Sequence, residues 1–276
     1  MKSLTNLSIE TVSFHSPEKG WLKNLADRFP LLTYSGITML VGFVLALIFM
    51  QVDTRTVLGI NVWIKPAKFL LSGGIYLITM SWLFAQLEHW NAVRMQRLSR
   101  WMAWLLNIEI VLIVMQAVRG VQSHFNVATP LDGMIFGLMG VLIASATVIM
   151  GYLAWVFWTQ PLQIRKPMLW AIRLGMLLFL MASIEGGYVS QHLSHAVGVA
   201  DGGAGVPFLN WSTEGGDLRI AHFLGLHGLQ LFPLLAFSLR KVKFNATTLV
   251  GIVAILYSIL TLGTFVWAMM GRPMFY

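Results

Sequence analysis

The chain has 276 residues, of which 57% are hydrophobic and 11% charged, with a formal net charge of +8 and a mean hydropathy of +0.72. No water-soluble domain carries so apolar a composition, so the sequence is that of an integral membrane protein. Its basic residues sit in short clusters between apolar runs, which argues against nucleic acid as a partner, and the absence of cysteine excludes disulfides, thiolate metal sites and thiol redox chemistry.

The tail, residues 1–32, is predicted to be cytoplasmic. Within it, SPEKGWLKNLADRF (16–29) reads as an interfacial amphipathic helix lying on the membrane surface. Ser16 is its expected cap and Pro17 suits the first helical position. Trp21, Leu22, Leu25 and Phe29 share one face.

Residues 33–276 then form a membrane domain. A run of about 20 apolar residues spans the hydrocarbon core as a helix, and seven such runs follow: 33–52, 67–86, 101–122, 133–158, 168–190, 218–239 and 247–270. Each must be helical, because lipid offers no partners to free backbone groups. The predicted fold is therefore all-α, a seven-transmembrane-helix bundle. Lys2, Lys19, Lys23, Arg28, Arg94, Arg97, Arg100, Arg165, Lys166, Arg240, Lys241 and Lys243 fall on one side. By the positive-inside rule that side is cytoplasmic, so the N-terminus is inside and the C-terminus extracytoplasmic.

The loops are short except the outer one at 191–217, QHLSHAVGVADGGAGVPFLNWSTEGGD, whose six glycines and single proline predict irregular backbone and tight turns. A loop of this length and composition suits a lid or binding loop.

Polar residues converge beneath it. In the third span Glu109, Gln116 and Ser123 recur every seven residues and form one stripe, edged by Arg119. A carboxylate at the depth of Glu109 must face the bundle. Lys65 and Lys68 open the second span, and Glu185, followed by Gly186 and Gly187, closes the fifth. The sixth, GGDLRIAHFLGLHGLQ (215–230), brings Asp217 as a candidate N-cap, Arg219, His222, His227 and Gln230. His222 and His227 are five apart, about 140° around a helix, so they face different partners.

Haem b would need an imidazole from each of two segments, small residues for the ring and cations for the propionates. His124, His195, His222 and His227 are the candidate axial ligands. Lys65, Lys68, Arg119 and Arg219 are the candidate clamps, and Glu109 and Glu185 the proton-handling acids. This makes a membrane redox protein, an oxidoreductase exchanging electrons with a quinone or a periplasmic partner, the leading expectation. The alternative is zinc or iron held by a subset of His124, His192, His195, His222, His227 and Asp217, hydrolysing membrane lipid. That layout is similar to the seven-span ceramidases and receptor-like hydrolases, but here the last span lacks histidine. A further alternative is a proton-coupled or anion transporter built on Glu109, Gln116, Arg119 and Gln230. With no lysine in the last span, a retinal Schiff base is not expected.

The segment SHAVGVADGGAGVPFLNWSTEGGDLRIAHFLGLHGLQLFPL (194–234), with NVWIKPAKF (61–69) and QAVRGVQSHFN (116–126), resembles a family of uncharacterised bacterial multi-pass membrane proteins. The resemblance implies a bacterial host and the plasma (inner) membrane, and it brings no activity.

Overall fold

The structure is a computed structural model that describes residues 20–242 and 245–275. The expected cap residues Ser16 and Pro17, and Lys2, Lys19 and Lys243 of the orientation argument, lie outside the described residues. The architecture is all-helical. A short helix α1 (Trp21–Arg28) is followed by α2 (Pro30–Val52), α3 (Ile64–Val118), α4 (Pro130–Thr159), α5 (Lys166–Gln191), α6 (Arg219–Ser238) and α7 (Ala246–Met269). Six of these helices are long and apolar enough to cross a bilayer. Large apolar side chains such as Val141, Val148, Ile184 and Ile255 remain exposed on their outer faces, as lipid-facing residues do.

At 1.5 Å per residue α3 would run about 80 Å, far beyond the ~30 Å hydrocarbon core. It does not run straight. Asn91 adopts φ −160°, ψ 86° and divides α3 into arms 64–90 and 92–118. The arms fold back on each other: Tyr76 Oη lies 3.7 Å from Met102 Sδ, and a Cβ on Gly73 would stand 3.5 Å from Ile110 Cδ1. Six apolar helices with one broken into two give the seven span-length segments expected from the hydropathy. The third helical segment ends at Val118 rather than 122, because the chain turns at Arg119 and Gly120.

Small residues let neighbouring helices close up. Gly36 and Gly74 bring α2 against the first arm, and Gly175 sets α5 on the backbone of Gly228 in α6. The buried pair Thr33 Oγ1 and Ser81 Oγ, 2.8 Å apart, satisfies the hydroxyls between α2 and α3. Tyr257 of α7 donates to Leu224 O of α6 at 2.9 Å.

Helix α1 differs from the surface anchor expected of it. Leu25 and Phe29 are fully buried, Phe29 packs 5.9 Å from Phe84, and Arg28 Nε donates to Glu88 Oε2 at 2.6 Å. Gln96 of the second arm donates back to Arg28 O at 2.6 Å. Leu25 and Phe29 are thus covered by the protein's own helices, while Leu22 on the same face stays exposed.

The opposite end of the bundle carries two hairpins. β1 (Thr56–Val57) pairs with β2 (Ile60–Asn61) between α2 and α3, and β3 (Ala196–Val197) pairs with β4 (Gly216–Asp217) within the long loop. Asp53 roots the first: Arg55 and Trp63 donate to its carboxylate, and those hydrogen bonds hold it well below the usual carboxylate range.

Asn91 also accepts from Arg94 N at 3.0 Å, which makes it the cap of the second arm. Asn91→Ala is expected to cost about 1 kcal/mol. Thermal unfolding of the detergent-solubilised protein, with Ala92→Gly as a control for backbone softening, measures it.

Candidate functional site

Two networks from the helices fasten the 191–217 loop, one an ion pair at the start of α6 and the other hydrogen bonds from a lysine of α3. Asp217 is fully buried. Its Oδ1 accepts from Arg219 Nε at 2.9 Å and Arg219 N at 3.0 Å, while its Oδ2 accepts from Arg219 Nη2 at 2.6 Å and Ser212 N at 2.8 Å. Arg219 also donates to Asn210 O. From the first arm of α3, Lys68 donates to Leu209 O at 3.1 Å and Asn210 Oδ1 at 3.4 Å. Asp217 accepts from a free N–H at the start of α6, as the capping expectation required, yet it stands one residue before the cap Leu218 and in β4. Its partner is its own neighbour rather than another span.

Two features let the loop sit this close. Leu193, Phe208 and Asn210 take positive φ, which turns the chain tightly. Gly216 presses on α7 so closely that a Cβ would overlap Ala268 O.

Beneath the loop lies a polar cluster walled by aromatic rings. Glu109 is 5% exposed, and its Oε1 lies 3.8 Å from His124 Nε2. Its Oε2 is buried with no hydrogen-bond partner. Burial, and after it the charge of Lys65, pushes His124 well below the usual imidazole range. The ring is therefore neutral, and this contact is not an ion pair. His124 Nδ1 lies 3.1 Å from Ser123 Oγ. Three phenylalanines wall the ring: Phe69 at 5.5 Å, Phe136 at 6.2 Å and Phe125 at 6.3 Å between centroids. Lys65 lies within electrostatic reach of Glu109, Lys68, Arg219 and Asp201, and its Nζ stands 5.9 Å from the Phe69 centroid.

His195 lies on the far side of Phe125, 6.3 Å between centroids. Its Nδ1 is 3.0 Å from Asp201 Oδ1, an oxygen that also accepts from Ala196 N and Ser194 Oγ. A cleft of about 60 Å³ opens here, lined by His195, Asp201, Asn210, Ser212, Arg219 and Leu58.

Other expected site residues go elsewhere. Arg119 pairs with Asp132 at 2.7 Å and donates to Gln116, while Gln116 donates to Asp132 at 3.1 Å. That network joins α3 to α4 in place of a propionate clamp. His192 caps α5, its Nδ1 2.9 Å from Tyr188 O, and the positive φ of Leu193 ends the helix before His195, so the two are not on one helical face. His222 Nδ1 lies 2.8 Å from Ala182 O, and its Cε1 would be 2.7 Å from a Cβ on Gly186. His227 packs edge-on against Phe223, 4.2 Å between centroids. Gln230 donates to Thr79 at 3.3 Å, and Glu185 keeps a buried, unpartnered Oε1. Among the described residues no three of His, Asp and Glu gather as a metal set.

The residues missed in the sequence are Asp201, Asn210, Ser212, Asp132 and the phenylalanine sleeve. Asp132 carried a signal, standing three residues after Thr129, which caps α4 by accepting from Asp132 N at 3.1 Å. The rest stand in irregular loops or look like ordinary lipid-facing aromatics.

No family model, no curated protein and no solved structure matches the chain.

Removing the Asp217 charge strands Arg219, whose side chain is 28% exposed. Asp217→Asn is expected to destabilise the loop by about 3 kcal/mol, measured by amide exchange across 194–218. Acid acts through His195. Burial, with Arg219 next, lowers its affinity for protons, and Asp201 and Asp217 only partly oppose them. The unfolded ring titrates near the ordinary 6.5, so its contribution is complete above that pH and is lost as pH falls below it. Exchange of Leu218 N–H, bonded to His195 O at 3.0 Å, should accelerate beyond its intrinsic rate between about pH 7 and about pH 5. His195→Gln should flatten that dependence.

Proposed function

We propose that the protein is a bacterial plasma-membrane redox protein that binds a quinone at its buried polar cluster and exchanges the ring's protons through Glu109 and His124. Its N-terminus is cytoplasmic and its 191–217 loop faces the periplasm. The charge distribution supports that sidedness: Lys23, Arg28, Arg94, Arg97, Arg100, Arg165, Lys166, Arg240 and Lys241 all lie at the α1 end.

One observation carries the ligand reading. A buried carboxylate with a free oxygen faces a neutral imidazole inside an aromatic sleeve. A flat ring with polar oxygens at its edge matches both halves of that environment. Oxidising a quinol to the quinone releases two protons and two electrons. Glu109 Oε2 and His124 Nε2 are acceptors for the protons, and Lys65 supplies a cation for the developing oxyanion. The electrons pass to a periplasmic redox partner. The ties of Lys68 and Arg219 hold the loop over the ring and keep water from it.

Haem b, or zinc or iron, is the second reading, and it rests on His124 and His195 flanking Phe125. A haem between those imidazoles would require Phe125 to leave, and His222 and His227 are engaged away from them. The quinone reading needs no such rearrangement.

Ubiquinone and menaquinone binding to the protein in nanodiscs, followed by tryptophan quenching, tests the proposal. Glu109→Gln and His124→Asn should each weaken binding about tenfold, equivalent to 1.4 kcal/mol. Unchanged affinity in both variants would sink it, and a Soret band that shifts on dithionite would move the assignment to haem.

A further inference from the structure

Helix α4 ends at Thr159, so its last carbonyls lack helical partners of their own. For Phe157 the loss is written into the sequence: the residue four positions on is Pro161, which has no N–H. Arg173, about two turns into α5, fills the gap by donating from Nε to Phe157 O at 2.8 Å. Its guanidinium carbon stands 5.3 Å from the Trp158 ring centroid and 5.6 Å from that of Trp170, and the two indoles meet edge to face. One hydrogen bond and two ring contacts thus fix the side chain. Among the described residues no hydrogen bond engages its two terminal nitrogens. A guanidinium held this way presents a two-pronged donor edge, the geometry that fits two oxygens of one phosphate.

The surroundings supply positive charge and little to neutralise it. Lys166 and Arg173 are seven apart on α5 and share a face, with the exposed Arg165 immediately before them. Among the described residues at the α1 end of the bundle the carboxylates are Asp27 and Glu88, and Glu88 is taken by Arg28. The same face of α5 continues from Arg173 through Leu177, Met181 and Ile184, all exposed. From Arg173 to Ile184 the helix rises about 16 Å, half of the ~30 Å hydrocarbon core and so the depth of one leaflet's acyl chains. Cations, indoles and an apolar track follow one another in the order of a phospholipid's own parts.

We propose that this face of α4 and α5 binds an anionic phospholipid of the leaflet at the α1 end, with the phosphate on Arg173 and the acyl chains along Leu177, Met181 and Ile184. Every phospholipid carries the phosphate, and Arg165 and Lys166 discriminate among them. They repel the ammonium of a choline or ethanolamine headgroup and attract a headgroup of net negative charge, such as phosphatidylglycerol. The site lies at the other end of the bundle from Glu109 and His124 and is independent of the quinone reading.

Native mass spectrometry of the detergent-solubilised protein, titrated with phosphatidylglycerol or phosphatidylcholine of matched chains, tests this. Wild type should bind the first phosphatidylglycerol about tenfold tighter than phosphatidylcholine. One basic residue beside an anionic headgroup is worth roughly fivefold, so Arg173→Gln should reduce that preference to about twofold. Arg165→Gln combined with Lys166→Gln, at exposed positions, should do the same, and this pair carries the test should Arg173→Gln fail to fold. Arg240→Gln, at the same end but beyond α6, should leave the preference at its wild-type value. An equal loss in Arg240→Gln would make the preference one of diffuse charge and overturn the site, as would equal binding of the two lipids by wild type. Excess free glycerol phosphate should not displace the lipid, and displacement would assign the guanidinium to soluble phosphates and overturn the lipid assignment.

Discussion

A bilayer interior provides no water, so every polar group taken into it must be satisfied by the protein. The Asp217–Arg219 pair is where this constraint shapes the molecule most. Asp217 is fully buried and accepts four N–H groups, two from the Arg219 side chain and one each from the Arg219 and Ser212 backbones. Arg219 Nη2 also donates to Asn210 O. The pair thereby nails a glycine-rich loop to the mouth of α6, and Lys68 nails the same loop to α3. Without those cations the loop would keep its β3–β4 ladder, the bridge between Gly205 and Ser212 and its internal turns, but lose its ties to the helices.

The tied loop in turn covers what lies below it. Glu109, His124 and Lys65 form one cluster beneath it, and the Phe69, Phe125 and Phe136 rings surround the imidazole. Their arrangement follows from the break at Asn91. Reversing α3 there returns Glu109 to the level of Phe69, so residues some forty positions apart along one helical element meet in one place. A hydrophobic sleeve around an acid and a neutral base is an environment in which proton movement is coupled to whatever fills the space.

The number and type of helices were legible in the sequence because apolar run length maps directly onto bilayer thickness. The inward-facing stripe was legible in part: Glu109 and Gln116 are buried on one helix face, as a period of seven requires, while Ser123 is buried in the turn beyond the helix end. What was not legible is who meets whom. Arg119 has a cation's look of readiness for a ligand, yet Asp132 takes it. Lys68, an end-of-span lysine by position, turns inward to two loop oxygens. The loop residues Asp201, Asn210 and Ser212 acquire their places from backbone turns at Leu193, Phe208 and Asn210, conformations that ordinary side chains rarely adopt and that no local pattern announces. Helix α1 had the amphipathic stripe of a surface anchor, but a stripe states only that something apolar covers it, and here Phe84 and its neighbours do.

That last placement has a bearing on how the chain is built. Helix α1 precedes by about sixty positions the residues that receive it, Ala85, Glu88 and Gln96. The contacts that bury Leu25 and Phe29 therefore need both arms of α3 to be in place. An earlier segment of the chain thus completes its packing only once the later hairpin beside it has formed.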